Sequence, residues 1–342
     1  MYIFASIVAS LTALIAAGVL YQRIGARRDR RRYTDSGRWV DIGHECRLYL
    51  LEKGSGGPTV LFESGIAATN LNWCRIQETV AQFTHTASYD RGGLGWSSPA
   101  SSARTPGNIA IELHAMLETA GIKPPYVLVG HSFGGLVMRR YALLYPEDVA
   151  GVVLVDPMRC EEWPPLDPTK QAAIDRGTRL TGYAIPIAQC GLARLAVTSL
   201  LCRSGRLSSF LAGAAGDGGR HVLERIKDEV GKMPQEVRPM VAAHWSRPSY
   251  YAGMCSHVIA VPDTVREMQS ADPIHGIPVT LLTPENASPL GERDLSQIGD
   301  NVQQVIAPAS AHWIHLDQPE LVIDSIREMV MAATPEPVPV TV

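Results

Sequence analysis

Residues 126–135 read YVLVGHSFGG, and Gly130-His131-Ser132-Phe133-Gly134 places a serine midway between two glycines. A serine so spaced is a candidate nucleophile for acyl transfer when a strand leads into it and a helix leads away. Both are predicted here. Residues 126–130 are largely apolar, and 136–144 carry apolar residues at helical spacing. The glycines at 130 and 134 suit a sharp turn whose neighbouring side chains would collide with strand and helix. A serine hydroxyl is a poor nucleophile near neutral pH. It needs a base within hydrogen-bond reach, and the base needs a carboxylate to orient it.

The base must come from ten histidines. His312 follows the last predicted strand and precedes the last predicted helix, on the sheet edge that also carries Ser132. His315, three residues on, is assigned a supporting or surface role near the final helix. His131 is expected to point away from the serine and to pack against or bond the oxyanion loop. The acid stays open. Asp156 directly follows the apolar strand 152–155 and is preferred, because that strand would hold it at the same edge. Glu285, in Thr283-Pro284-Glu285-Asn286-Ala287, is the alternative, with Asp294 beyond it. Either choice keeps the chain order serine, acid, histidine. Two backbone N–H groups should face the developing oxyanion: that of Phe133, next after the nucleophile, and that of Ile66 in the loop after strand 59–63.

The elements that must hold these groups alternate. Strands are predicted at 39–42, 47–51, 59–63, 84–89, 126–130 and 152–155, with helices at 73–83, 109–121 and 136–144. Apolar strands alternating with helices predict an α/β fold with a mostly parallel sheet covered on both faces. The pattern breaks over 158–275, which shows helix-like segments and no clear strand, and resumes with strands 277–283 and 302–306 and a helix at 321–331. The expected organisation is a core of 38–157 and 276–331, a helical cap of 158–275 inserted before the penultimate strand, and a disordered Pro-rich tail, 332–342. An insertion at the C-terminal edge of such a sheet would roof a ligand site. Apolar stretches at 192–201 and 210–215 suit a hydrophobic substrate.

Residues 2–21 carry no charge, about the length that spans a bilayer as a helix, and Arg23, Arg27, Arg28, Arg30, Arg31 and Arg32 follow. Charge after the apolar run differs from a cleaved signal peptide, which carries it before. The expectation is a transmembrane anchor (1–22), a basic linker (23–37) and a single-pass protein with its catalytic domain in the cytoplasm. The net charge of −3 makes no case for a nucleic-acid partner, and six cysteines without a C-x-x-C pair do not make a disulfide scaffold. No metal-ligand spacing, phosphate loop or dinucleotide fingerprint is present, so no cofactor or metal is expected.

Four motifs together resemble the α/β-hydrolase superfamily, in particular capped bacterial serine hydrolases: ESGI (63–66), YDRGGLGWS (89–97), GHSFGG (130–135) and AHWIHLDQPELV (311–322). The resemblance implies an α/β-hydrolase fold with an eight-stranded, mostly parallel sheet and a helical cap. It places the catalytic histidine five residues before an acid and seven before a proline; Asp317 and Pro319 put it at His312. The usual Gly-x-x-Asp after the penultimate strand is absent, with Ala287 near that place. Some members carry the acid one strand earlier, which favours Asp156. Serine at the nucleophile position disfavours epoxide hydrolases and haloalkane dehalogenases, which attack with a carboxylate. The function implied is cleavage of a carboxylic ester of a small, hydrophobic molecule through an acyl-enzyme. C–C, lactone or amide hydrolysis and acyl transfer are the alternatives, and a non-catalytic binding protein on the same fold is a further one.

Overall fold

The computed structural model describes residues 1–160, 168–202, 228–287 and 290–334. Eight strands form one sheet in the order β1-β2-β4-β3-β5-β6-β7-β8. They are β1 (Arg38–Asp41), β2 (Arg47–Lys53), β3 (Thr59–Glu63), β4 (Thr86–Asp90), β5 (Tyr126–His131), β6 (Val149–Val155), β7 (Val279–Pro284) and β8 (Val302–Ala307). β2 runs antiparallel to β1 and β4, and all other pairs are parallel.

The central strands are apolar on both faces because helices cover both. Leu61, Leu128, Val152 and Leu154 join the cluster that contains Leu113 and Met116 of α3 (Pro106–Ala120) and Met138 and Tyr141 of α4 (Phe133–Leu144). Their sequence neighbours Val60, Phe62, Val127, Val129, Val153 and Val155 join the opposite cluster. That cluster includes Ile76 of α2 (Cys74–Val80) and Ile323 and Ile326, which lie on the last helix, Pro319–Ala333. Successive strand residues point to opposite faces, so each strand contributes to both layers. Gly121 ends α3 at φ 74, as a helix-stop glycine does. β7 begins at Val279 rather than 277, because Pro278 has no N–H to give the ladder.

Between β6 and β7 the described residues are helical: α5 (Pro168–Gln189), α6 (Leu192–Cys202), α7 (Arg238–Trp245), α8 (Pro248–Ile259) and α9 (Val261–Gln269). Val230, Met233, Val237 and Val241 pack there with Leu71 of the core. The apolar stretch 210–215 and the Pro-rich tail from 335 onward lie outside the described residues. After β7 come α10 (Glu292–Ile298), β8, α11 (Ile314–Asp317) and α12 (Pro319–Ala333).

The expected basic linker of 23–37 is not a linker. One helix, α1, runs unbroken from Tyr2–Tyr33. Arginine is a good helix former, and this half of α1 is docked. Gln22, 4% exposed, donates from Nε2 to the Ser246 carbonyl at 2.9 Å. Arg194 donates to Gln22 Oε1 at 2.9 Å and to Asp29 Oδ2 at 2.6 Å.

Candidate active site

β5 lies between β3 and β6, and all six of its residues are buried. Ser132 follows at φ 54, ψ −121, a conformation that costs an L-residue energy and persists only where its surroundings enforce it. The enforcement is visible. Ser132 N–H donates to Val155 O at 3.1 Å, and its carbonyl accepts from Gly135 N–H at 3.0 Å and Met158 N–H at 3.1 Å. The flanking glycines are required by close approach. A Cβ on Gly130 would meet Gly134 O at 2.5 Å, and one on Gly134 would meet the carbonyls of Glu63 and Ser64 at 2.5 Å. Ser132 therefore sits at the tip of a turn between β5 and α4, against the loop that follows β3.

Asp156 leaves β6 at φ 40, and its N–H donates to Leu282 O at 2.9 Å. Its Oδ2 lies 2.7 Å from Nδ1 of His312. His312 stands on the loop between β8 and α11. Glu285 Oε2 accepts Ala309 N–H at 2.7 Å, Ser310 Oγ donates to Ala307 O at 2.9 Å, and Asp317 accepts Ala311 N–H at 3.3 Å. Lys232 of the cap in turn pairs with Asp317 at 2.9 Å. Glu285, the alternative acid, is thus spent on the loop backbone. Asp294 is exposed on α10 and borders a separate cavity of about 200 Å³, whose wall also includes Asp156.

His131 is buried, and its Nε2 lies 2.8 Å from the carbonyl oxygen of His312. That bond needs the proton on Nε2, and burial together with the neighbouring His315 and His312 holds the ring neutral, its pKa well below the usual value. It ties the serine turn to the histidine loop. It does not bond the oxyanion loop, although its Nδ1 is 3.1 Å from where a Cβ on Gly65 would stand. His315 is 2% exposed rather than on the surface. Its ring packs 4.9 Å from Trp73 and 4.2 Å from His131, and burial pushes its pKa down to about 3.

The loop carrying Ile66 rests on charges that the sequence reading did not single out. Glu63 and Arg91 are each 1% exposed at their side chains, with Arg91 Nε 3.4 Å from Glu63 Oε1. Tyr89 OH donates to the other Glu63 oxygen, and Ser64 N–H donates to Oε1 at 2.9 Å. Burial pushes the Glu63 carboxyl up, while Arg91, Tyr89 and Ser64 N–H pull it down. Arg91 also donates to Gly65 O, and its guanidinium lies 5.1 Å from the centre of the Phe133 ring. The clue was available: charged residues at the ends of two adjacent apolar strands must pair if both are buried. Among the described residues neither Ile66 N–H nor Phe133 N–H is committed to a backbone acceptor.

Beside His312 opens a cavity of about 710 Å³. Ile66, Ala67, Thr69 and Asn72 form its floor on the core side, with His312 and Trp313. Ala196, Val197 and Leu200 of α6, Val241 and Trp245 of α7, and Tyr250, Tyr251 and Met254 of α8 roof it. Such a site suits a largely apolar ligand of small-molecule size. Among the described residues no cluster of three or more histidine, cysteine or carboxylate side chains could hold a metal ion.

A family model described as "alpha/beta hydrolase fold" matches residues 58–182, which contain β3 to β6, the serine turn and the start of the cap. The chain has the α/β-hydrolase fold. The chain superposes on Cfl2 from Burkholderia cenocepacia with TM-score 0.65 at 19% identity, over 86% of this chain and 95% of that one. It superposes on the epoxide hydrolase CorEH with TM-score 0.63 at 17% identity, over 86% and 97%. At those identities the likeness is one of fold. In sequence it is 34% identical over 105 residues to the uncharacterized protein YqjL of Bacillus subtilis (strain 168), covering 31% of this chain and 42% of that protein. The match thus spans less than half of that relative's length.

Proposed function

We propose that this protein is a membrane-anchored serine hydrolase that cleaves a carboxylic ester, or a related acyl bond, through an acyl-enzyme on Ser132. The observation that carries the reading is the 2.7 Å approach of Asp156 Oδ2 to His312 Nδ1, on a loop that His131 bonds to the serine turn. An imidazole whose Nδ1–H donates to a carboxylate keeps Nε2 free to accept a proton. His312 Nε2 takes the Ser132 hydroxyl proton as Oγ attacks the acyl carbon. The carbonyl oxygen becomes an oxyanion facing the N–H groups of Ile66 and Phe133. His312 then protonates the departing alcohol, and the acyl group stays on Oγ. In the second half, His312 takes a proton from water, hydroxide adds to the acyl carbon, and Ser132 leaves with the proton. Asp156 orients the ring and stabilises its charged form in both halves. A serine at the turn stands against epoxide opening by an attacking carboxylate.

Two further observations support the rest of the reading. Apart from Glu229, the cavity roof is built from apolar and aromatic side chains, which suits a hydrophobic acyl or alcohol group. α1 begins with an uncharged apolar run, 2–21, whose residues 2–17 are all exposed, which fits a membrane span.

Labelling the purified full-length protein with a fluorophosphonate tests the assignment. The adduct is expected on Ser132 alone, and p-nitrophenyl esters of graded chain length should be turned over. Absence of an adduct in folded protein, or undiminished turnover by Ser132→Ala, would overturn it. Retention of the protein in carbonate-washed membranes tests the anchor.

A further inference from the structure

α1 does not separate from the catalytic body where its apolar run ends. Residues 2–17 are all exposed and stand clear of it. From Gly18 the helix lies against the elbow that joins α5 to α6, two helices bent 98° to each other. A Cβ on Gly18 would collide with the Cys190 carbonyl. One on Gly191, at φ 78, would come within 2.8 Å of Gly18 O and 2.9 Å of Tyr21 Cδ1. Gln22 and Asp29 complete the attachment through Arg194.

This fixes the height of the elbow relative to a bilayer. Residues 2–17 make a helix of about 24 Å. The hydrocarbon core is about 30 Å thick and takes roughly 20 residues to cross. The anchor spans only if residues 18–21 also enter the membrane boundary, and Cys190 and Gly191 touch those residues. A bilayer that holds α1 therefore carries the elbow in its interfacial layer.

The elbow's surface suits that place. Leu180, Tyr183 and Ile187 recur at helical spacing on α5 and are 63%, 68% and 48% exposed; Leu192 and Leu195 on α6 are 56% and 50% exposed. No charged residue occurs from 180 to 193, and Arg194 is turned inward onto Gln22 and Asp29. Exposed Arg176 and Arg179 precede the patch, with Asp175 beside them, and exposed Arg23, Arg27 and Arg28 follow the apolar run of α1. Apolar residues at the acyl boundary with arginines at the headgroups is the arrangement of an interfacial helix. An apolar surface of this extent on a purely water-facing cap would be a liability.

We propose that the α5–α6 elbow is a lipid-docking surface, seated in the leaflet through which α1 leaves the membrane. One and two turns further along α6, Ala196, Val197 and Leu200 line the cavity beside His312. The same helix thus begins at the leaflet and ends at the candidate acyl-binding site. The substrate class that follows is an amphiphilic ester dissolved in the leaflet and delivered along α6. This rests on the anchor and hydrolase readings above.

The test uses the full-length protein in phosphatidylcholine vesicles containing a trace of phosphatidylcholine with a diazirine on its acyl chain. After irradiation, adducts are mapped by mass spectrometry. They are expected in two regions, 2–22 and 180–195. Adducts in 2–22 alone overturn elbow docking and leave the anchor standing; adducts in neither region overturn the anchor and the proposal with it. The double variant Leu192→Glu/Leu195→Glu changes half-exposed positions outside the cavity wall. It should lose adducts at 180–195 and keep those at 2–22. Its kcat/KM should fall about tenfold for a long-chain ester presented in vesicles and stay within about twofold for a soluble acetate ester. Equal falls on both esters would overturn delivery from the leaflet, whereas loss of all esterase activity in the parent protein would strike the hydrolase reading and leave the adduct map to decide docking.

Discussion

The guanidinium of Arg91 donates to the carbonyl oxygen of Gly65, and that carbonyl belongs to the same peptide unit as the Ile66 N–H. The Gly65–Ile66 bond is trans, so the two dipole ends point in opposite directions. Anchoring the oxygen on a buried cation directs the N–H away from Arg91. The charge also polarises the amide, which strengthens its donor end.

Arg91→Lys should therefore reduce kcat by roughly 10- to 100-fold, with KM changed less than about threefold, because the lost alignment matters only as the oxyanion forms. Arg91→Met should in addition destabilise the fold by about 3–5 kcal/mol, since Glu63 would be left buried without its partner. Steady-state kinetics and denaturant unfolding separate the two effects. An unchanged kcat in folded Arg91→Lys would remove the positioning role.

Asp156 and Glu285 make opposite predictions. Asp156→Asn keeps the size of the side chain but breaks the charge pairing with His312, and kcat should fall about 10⁴-fold. Glu285→Gln loosens only the bond to Ala309 N–H, so kcat should change by less than about tenfold with a stability loss near 1 kcal/mol. The reverse ranking would return the acid to Glu285.

Ser132→Ala should cost on the order of 10⁶-fold in kcat if serine, histidine and acid act as a unit. Gly134→Ala reaches the same site by sterics. Its Cβ would meet the Glu63 and Ser64 carbonyls at 2.5 Å, so the serine turn and the oxyanion loop must part. The variant is expected to lose both fluorophosphonate labelling and thermal stability, read by gel fluorescence and calorimetry.

Stability should fall in acid. Burial pushes His315 down to about 3 and His244, with help from Arg247, down to about 3, and holds His131 and His257 well below 6.5. A histidine with a depressed folded pKa takes up fewer protons than the unfolded chain between that pKa and about 6.5. The stability it preserves is complete above about pH 6.5 and is lost as pH falls towards 3, at roughly 1 kcal/mol per pH unit for each histidine. Asp90 works the other way: burial lifts it to about 6, so its contribution improves as pH falls from 6 towards 4. Glu63, also raised by burial, acts in the same sense as Asp90, and two carboxyls against four histidines leave a net loss. Tm measured from pH 7.5 to 4.5 should decline below about pH 6.5. His315→Phe should flatten that decline while leaving kcat within about fivefold, since its ring packs on Trp73.

Much of this α/β-hydrolase fold was legible in the sequence because the signals are local. Strand, turn, serine and helix follow one another within 126–144, and Gly130 answers to a close contact within that same turn. His312 was marked by its distance along the chain from Asp317 and Pro319, and alternation of apolar strands with helices predicted the parallel sheet. The sequence narrowed the acid to three carboxylates and preferred Asp156, with Glu285 left as the alternative.

Tertiary structure decided what depends on neighbours remote in sequence. Glu63 and Arg91 meet because β3 lies beside β4 in a register that pairs Phe62 with Ser88; no local pattern marks that pairing. Asp156 rather than Glu285 reaches His312 because Asp156 turns off β6 at φ 40 while Glu285 bonds the backbone of the His312 loop. The continuation of α1 to Tyr33 reflects its docking on Arg194 and Ser246, some 170 and 220 residues away, where local composition suggested only a charged linker. Motif spacing determines which residues could do chemistry; strand order and packing determine which of them share one low-dielectric site.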